Sequence, residues 1–181
     1  QPLDVAVYRQ AWQGQIARRP ALRSELVLAD GVALQRILKH AELPFHYEDL
    51  SEVENAETRV QAYREQDLAR PIPLEQAPLL RLACFKLAPD HHKVIFSAHH
   101  GVLDGWSGPV LLGSLHRGYQ ALMNGLLPQG EPDTAWLEFG RHIASQARSA
   151  ETYWQGRGEL LATPNDLACL FGVTLDAGAS G

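Results

Sequence analysis

The sequence has few cysteines and no long apolar run, and both shortages narrow the classes of protein it can belong to. Its two cysteines, Cys84 and Cys169, lie far apart and form no Cys-x-x-Cys spacing, so neither a disulfide framework nor a cysteine-based metal site is expected. No stretch approaches the roughly 18 apolar residues that a membrane-spanning helix requires. The segment QPLDVAVYRQ lacks the basic start and apolar middle of a signal peptide. We therefore expect a cytoplasmic protein without a membrane partner.

Positive charge is also in short supply. The 181 residues include 16 Lys and Arg against 21 Asp and Glu, which gives a formal net charge of -5. Such a chain offers no basic surface to a phosphate backbone, so a nucleic-acid partner is not expected. The hydrophobic content of 45% is sufficient for one globular domain with a buried core.

Four helices are predicted from apolar residues at helical spacing together with capping and stop signals. The predicted ranges are Asp4 to Arg18, Ser51 to Ala69, Ser107 to Asn124, and a stretch between Thr134 and Trp154. The second range begins with Ser-Glu-Val-Glu, which has the Ser-x-x-Glu form of a capping box. In the third, Ser107 is the predicted N-cap, Pro109 lies in the first turn and Gly125 ends the helix.

Two hairpins are predicted from alternating polar and apolar residues. The run Leu22 to Leu28 partly alternates and is followed by the turn signal Asp30-Gly31, after which the chain is expected to pair back. The runs Leu79 to Leu87 and Lys93 to His99 are separated by Ala-Pro-Asp-His and form the clearest antiparallel hairpin.

The stretch SAHHGVLDGWS follows the last predicted strand and allows three interpretations. A metal site is weakly supported, because His99 and His100 face opposite sides of a strand and no fourth ligand lies at a zinc spacing. In the second interpretation the histidines are a core residue and a surface residue, and Asp104 caps a turn. In the third, an imidazole at the end of a central strand, before a turn, an acid and a helix N-terminus, takes a proton from an incoming nucleophile. The residues alone do not decide between the last two.

The segment HHGVLDGWS resembles the HHxxxDG active-site motif of the condensation domains of nonribosomal peptide synthetases, which belong to the chloramphenicol-acetyltransferase-like superfamily of acyltransferases. The ending DGWS favours peptide-bond-forming condensation over the related epimerisation and heterocyclisation domains. Three further segments, RRPALRSEL, AWLEFGRHI and TYWQGRGELLA, are similar to the family's second motif, its fourth motif and the helix that follows.

The resemblance implies an α+β fold, a two-layer α/β sandwich in which a mixed, largely antiparallel sheet is packed by helices. Residues 1–160 are then the N-terminal lobe of a condensation domain, and residues 161–181 a linker or tail of uncertain structure. The chain begins after the place of the family's first motif, and no counterpart of the second lobe follows Phe171. A missing second lobe is expected to expose an apolar patch and to favour self-association.

The resemblance also implies roles for particular residues. His100 matches the histidine at which the amine of an aminoacyl thioester attacks the carbonyl of an acyl or peptidyl thioester, so it is the predicted catalytic residue. The Gly105 backbone N–H is a predicted oxyanion donor. His99, Asp104 and Arg23 match positions with a structural role, and Asp104 is expected to form an ion pair with Arg23.

The resemblance implies no metal and no directly bound cofactor. The substrates would arrive on the phosphopantetheine arms of peptidyl carrier domains, and an adenylation domain and the second condensation lobe would lie in the parent chain of an antibiotic or siderophore synthetase. Trp106 is expected to pack in the interior. Two alternatives stay open: a non-catalytic or degenerate docking module, and an HHxxxDG acyltransferase that forms an ester with an alcohol.

Overall fold

The computed structural model describes residues 2–127 and 133–158, and the chain divides into two compact units, Gln1–Leu137 and Glu138–Gly181. The helices are α1 (Val5–Arg18), α2 (Ala56–Ala69), α3 (Ser107–Met123) and α4 (Ala135–Gln155). The strands are β1 (Ser24–Ala29), β2 (Val32–Ile37), β3 (Phe45–Asp49), β4 (Leu80–Ala88) and β5 (His91–Ala98). The predicted α+β class is confirmed. The predicted tail, residues 161–181, lies outside the described residues, as does Cys169.

The predicted positions of three helices are confirmed, whereas the second begins later than its capping box indicates. α2 starts at Ala56, after Asn55, whose φ of 60° lies in the left-handed region. Ser51 does not cap α2, because its N–H and its Oγ both donate to Asp49 Oδ1, at 3.0 and 2.6 Å. The Ser-x-x-Glu signal therefore marks the turn that follows β3, and the prediction of a capping box is wrong.

The first hairpin is confirmed, with β1 and β2 antiparallel. Its turn is Asp30-Gly31, with φ of 51° and 79°, as a tight two-residue turn requires. β1 begins two residues later than predicted, because Pro20–Arg23 form a 3₁₀ helix that ends the α1 segment.

The second sheet is three-stranded, in the order β3-β4-β5. The predicted β4–β5 hairpin is confirmed, with Leu82 opposite Phe96. β3, which the sequence did not predict, lies parallel to β4 and makes the sheet mixed. In the described residues β5 lies at the edge of this sheet and β4 is the central strand. The expectation that the histidine pair ends a central strand is therefore wrong.

Helices cover both faces of the three-stranded sheet, because side chains alternate along each strand. On one face, Leu80 and Leu82 of β4 join a core with Trp12 and Ile16 of α1 and with Leu115 of α3. On the other face, Ala83 and Phe85 pack with Val60 of α2 and with Leu50. The sheet is therefore packed by helices, as expected, and the structure shows which face each helix covers.

α4 is described by itself. It has no buried residue: Trp136 and Leu137 are partly buried, the residues from Glu138 onward are exposed, and Phe139, Ile143, Tyr153 and Trp154 are at least half exposed. None of the helices described here is long and apolar enough to cross a membrane.

Candidate active site

The histidine pair lies in the turn that joins β5 to α3. β5 ends at Ala98, and the His99 N–H donates to the Leu79 carbonyl at 2.9 Å. The His99 carbonyl accepts from the Val102 N–H at 3.1 Å, and the His99 ring accepts from the Gly101 N–H at its Nδ1, at 2.9 Å. Since Nδ1 is an acceptor, the proton of the neutral ring must be on Nε2. His99 is thus bound to its surroundings through both its backbone and its side chain, which supports a structural role.

His100 is placed differently from its neighbour. Its side chain is exposed, and it makes no hydrogen bond or ion pair with another residue in ranges 2–127 and 133–158. The ring nitrogens are therefore available to a substrate, while the backbone on the amino-terminal side is fixed by the contacts of His99. This arrangement suits a group that must reach hydrogen-bond distance of a nucleophile.

Asp104 caps α3. Its Oδ1 accepts from the Ser107 N–H at 2.7 Å and from the Ser107 Oγ at 2.6 Å. Mainly the side-chain hydrogen bond from Ser107, and then the backbone one, lower the pKa of Asp104 below its ordinary value. Of the roles considered for this residue, the capping of a turn is therefore confirmed, and the prediction that Ser107 is itself the N-cap is wrong.

Arg23 does not pair with Asp104. Its Nε donates to the Ile16 carbonyl at 3.1 Å, and its Nη1 donates to the Leu38 carbonyl and, at 3.3 Å, to that of Lys39. The guanidinium thus joins the end of α1 to the segment after β2. The expected ion pair is wrong, because backbone carbonyls already satisfy the arginine and Ser107 already satisfies the carboxylate. A structural role for Arg23 stays a prediction, carried by different partners.

Gly105 and Trp106 form the exposed turn before α3. A Cβ on Gly105 would meet nothing within 4 Å, and the Gly105 N–H has no hydrogen-bond partner among the residues described. Trp106 is 86% exposed, so the expectation that it packs in the interior is wrong. The reason is its position: five residues before Leu111, it points about 140° away from the buried face of α3.

A cavity of about 360 Å³ adjoins the second half of the motif. It lies between the turn after α1, the motif residues Val102–Asp104 and the first turns of α3. Its lining is Arg19, Pro20, Ala21, Leu22, Val102, Leu103, Asp104, Trp106, Ser107, Val110, Leu111, Asp133 and Trp136. Two tryptophans and several aliphatic side chains make the cavity predominantly apolar. His100 does not line it.

Sequence reasoning missed a buried polar cluster beside the motif. Asp67, near the end of α2, is only 5% exposed and accepts from Arg81 Nε at 2.6 Å. Its other carboxylate oxygen accepts from the Ser97 Oγ. Burial alone would raise the pKa of Asp67, but hydrogen bonds from Arg81 and Ser97 and the charges of Arg81 and Arg70 lower it overall. A signal was present: Ser97 and Arg81 face each other across the predicted hairpin.

Within residues 2–127 and 133–158, no group of three or more histidine, cysteine, aspartate or glutamate side chains is placed to hold a metal ion. In the motif, the Nδ1 of His99 accepts a hydrogen bond from the Gly101 N–H, and the carboxylate of Asp104 accepts one from Ser107.

Two curated proteins are similar to this chain over most of its length. Chondramide synthase cmdD of Chondromyces crocatus is 34% identical over 174 residues, covering 90% of this chain and 4% of that protein. The N-(5-amino-5-carboxypentanoyl)-L-cysteinyl-D-valine synthase of Amycolatopsis lactamdurans is 32% identical over 158 residues, covering 84% of this chain and 4% of that protein. The chain therefore spans only a small part of the curated relatives it matches.

Solved structures share the fold. The first condensation domain of the calcium-dependent antibiotic synthetase, in complex with substrate analogue 3a, matches with a TM-score of 0.72 at 25% identity, over 91% of this chain and 42% of that one. The epimerization domain from the third module of tyrocidine synthetase B matches with a TM-score of 0.65 at 27% identity, over 73% of this chain and 30% of that one. The family model described as "Condensation domain" matches residues 1–169, so the chain belongs to the condensation-domain family of nonribosomal peptide synthetases.

Proposed function

We propose that this chain is the N-terminal lobe of an amide-bond-forming condensation domain and that His100 is its catalytic residue. The observation that carries the proposal is the exposed His100 side chain, which has no protein partner among the described residues, on a turn whose backbone is held by Leu79 and Val102. Membership of the condensation-domain family supports the reaction class. A fixed turn that presents an unengaged imidazole is the arrangement that acid–base and positioning chemistry requires.

In the proposed reaction the amine of an acceptor aminoacyl thioester attacks the carbonyl carbon of a donor acyl or peptidyl thioester. A C–N bond forms, the donor C–S bond breaks, and the donor sulfur leaves as a thiol after gaining a proton. His100 holds the amine and takes its proton, because a nitrogen of the imidazole ring can accept one. The released proton can return to the leaving sulfur.

Gly105 is the proposed oxyanion donor. Its N–H is exposed, unpartnered among the described residues, and next to the N-terminus of α3, where the helix dipole favours negative charge. A tetrahedral intermediate carries its negative charge on the former carbonyl oxygen, so an N–H aimed at that oxygen would lower the barrier.

The proposal requires partners outside this chain. The two thioesters would be carried on the phosphopantetheine arms of peptidyl carrier domains, and a second condensation lobe would supply the opposite wall of the site. The solved condensation domain is more than twice as long as the part that this chain covers, which is 42% of it. An adenylation domain of the same synthetase would supply the activated amino acids.

The test compares His100→Ala with the unchanged sequence in a two-lobed protein, with donor and acceptor carrier domains loaded and the products released and measured by mass spectrometry. Loss of a general base is expected to lower the rate about 100-fold or more. His91→Ala is the matched control, because His91 is an exposed histidine at the end of β5 that lies away from the motif. Equal rates for His100→Ala and the unchanged sequence would overturn the proposal and favour a docking module.

The same assay tests the other reaction classes. If the protein accepts alcohols and rejects amines, it is an ester-forming acyltransferase. Because one matched structure is an epimerization domain, the product should also be resolved by chirality. Inversion of the carrier-bound residue without formation of an amide would contradict the proposed condensation.

A further inference from the structure

A buried polar cluster joins α2 to β4 and β5 immediately before the histidine pair. The Asp67 carboxylate is shared between the two strands: Oδ1 accepts from Arg81 of β4, and Oδ2 accepts from Ser97 of β5. Arg81 and Ser97 are direct cross-strand partners in the antiparallel ladder. One carboxylate therefore bonds to both strands at the end where the motif begins.

The arginine also closes the end of α2. Arg81 Nη2 donates to the Asp67 carbonyl and to the Arg70 carbonyl, both at 2.7 Å. The last carbonyls of a helix have no partner inside the helix; here the Asp67 carbonyl accepts from the Arg70 N–H and also from the Arg81 guanidinium. The cluster is thus anchored both to a helix terminus and to the sheet, and its side chains are largely removed from solvent.

The position of Ser97 along β5 gives the cluster its connection to the site. Ser97 lies two residues before His99 and three before His100, on the face that packs against α2. Beyond Ala98 the regular ladder stops, and the backbone contact that follows it joins His99 to Leu79, the residue before β4. Among the described residues, the Ser97 hydroxyl is therefore the last side-chain hydrogen bond from β5 to another element before the turn that carries His100, and only the small Ala98 side chain, packed on the opposite core, follows it.

The hydrogen bonds of this cluster depend on direction, whereas an apolar contact does not. Hydrogen bonds weaken steeply when their angles depart from linearity, so a carboxylate bonded at both oxygens restricts rotation and sliding of the two strands. An apolar contact of equal area would hold α2 on the sheet but would allow small displacements of the strand end. A turn that must place one ring within hydrogen-bond distance of a substrate is sensitive to such displacements.

We propose that Asp67, Arg81 and Ser97 form a positioning network that fixes the end of β5 and, through it, the placement of His100. The inference rests on the proposed function of His100 and deepens it, because none of the three residues touches the reacting atoms. The network fixes the position of the residue at which the turn begins, and the turn determines the position of the His100 ring.

The first experiment measures the turn without reference to activity. Ser97→Ala removes the hydroxyl that bonds Asp67 and leaves the Arg81–Asp67 pair in place, whereas Ser97→Thr keeps a hydroxyl. Amide hydrogen exchange at His99 and Val102, whose N–H groups close the turn, is expected to be about tenfold faster in Ser97→Ala and near the original rate in Ser97→Thr, in line with the loss of one hydrogen bond of about 1.4 kcal/mol.

The matched control is Ser51→Ala. It deletes the same kind of bond, a serine hydroxyl donating to an aspartate, in the turn after β3. Exchange at His99 and Val102 is expected to stay unchanged in this variant. The proposal is overturned if Ser97→Ala leaves the two amides unchanged, or if Ser51→Ala accelerates them equally.

The second experiment follows catalysis in the two-lobed protein. Ser97→Ala is expected to lower kcat several-fold with little change in KM for the carrier-bound substrates, and Ser97→Thr is expected to restore kcat. Faster exchange with unchanged kcat would overturn the link to His100. Failure of the proposed function is recognised separately, since His100→Ala would then leave product formation unaltered whatever Ser97→Ala does to the turn.

Discussion

Gly101 lies directly against Leu26, and a Cβ on Gly101 would be 3.1 Å from Leu26 Cδ1 and 3.0 Å from His99 Nδ1. Both distances are shorter than ordinary van der Waals contacts. The turn that carries the histidine pair is therefore packed onto β1, although the two segments are 75 residues apart in the sequence. A side chain at position 101 would therefore require Leu26 or the His99 ring to move by a few tenths of an ångström.

Gly101→Ala is expected to destabilise the protein by about 1 kcal/mol, because the added methyl group must displace Leu26 or the His99 ring. Urea unfolding measures the loss, and the exchange rate of the Gly101 amide, which donates to His99, reports the local effect. Gly105→Ala is the control, since a Cβ there meets nothing within 4 Å. If both variants are equally stable, the packing of the turn against β1 is not as described.

Asp104→Ala is expected to lower the midpoint of thermal unfolding, because the first turn of α3 loses the acceptor for the Ser107 N–H and Oγ. Asp104→Asn and Asp104→Ser, which keep a capping acceptor, are expected to retain more of the stability. The helical signal measured by circular dichroism should follow the same order. A variant series in which alanine and asparagine behave alike would contradict the capping role.

Arg23→Met is expected to cost about 1 to 3 kcal/mol, because the carbonyls of Ile16 and Leu38 lose their donor. The exposed Arg64→Met on α2 is the control for removal of a positive charge. A double-mutant cycle that combines Arg23→Met with Asp104→Asn is expected to be additive, since the two residues do not contact each other. Measurable coupling energy would instead indicate that Arg23 and Asp104 form the ion pair expected from the sequence.

The stability of the protein is expected to depend on pH through Asp67. Its folded-state pKa is lowered, so its contribution is present above the unfolded pKa of about 3.9 and is lost as the pH falls through the folded-state value. Asp67→Asn should therefore be less stable by about 2 kcal/mol near pH 7, and the difference should shrink below about pH 4. Thermal unfolding of both proteins between about pH 3 and pH 7 measures this difference in stability.

Asp90→Asn, in the exposed β4–β5 turn, is the control for that experiment. Its stability should follow that of the unchanged protein at each pH. A difference between Asp67→Asn and the original sequence that stays constant as the solution becomes acidic would show that the carboxylate charge does not contribute.

Local patterns were sufficient for the longer elements. The β4–β5 hairpin was predictable because two runs of eight or nine residues alternate around a turn signal, and α1 was predictable because Trp12 and Ile16 lie on one face. β3 was missed because it has only five residues and pairs in parallel with a strand far along the chain. The capping box failed at Ser51 because a nearby aspartate competes for the same serine.

The sequence predicted which residues form the candidate site, but it did not predict the contacts between them. The HHxxxDG pattern located His99, His100 and Asp104, but the partner of Asp104 is Ser107 and not the distant Arg23. The bond from Ser97 to Asp67 joins residues 30 positions apart, and that from Arg81 joins residues 14 apart. Such pairings depend on how α2 crosses the sheet, which no local spacing encodes.

The exposure of His100 has a practical consequence for enzyme engineering. A side chain that bonds to no other described residue contributes little to the folding free energy, so most replacements other than proline are expected to change stability by about 0.5 kcal/mol or less. A library of such replacements at this codon can thus be ranked mainly by turnover, because the variants are expected to be folded to a similar extent.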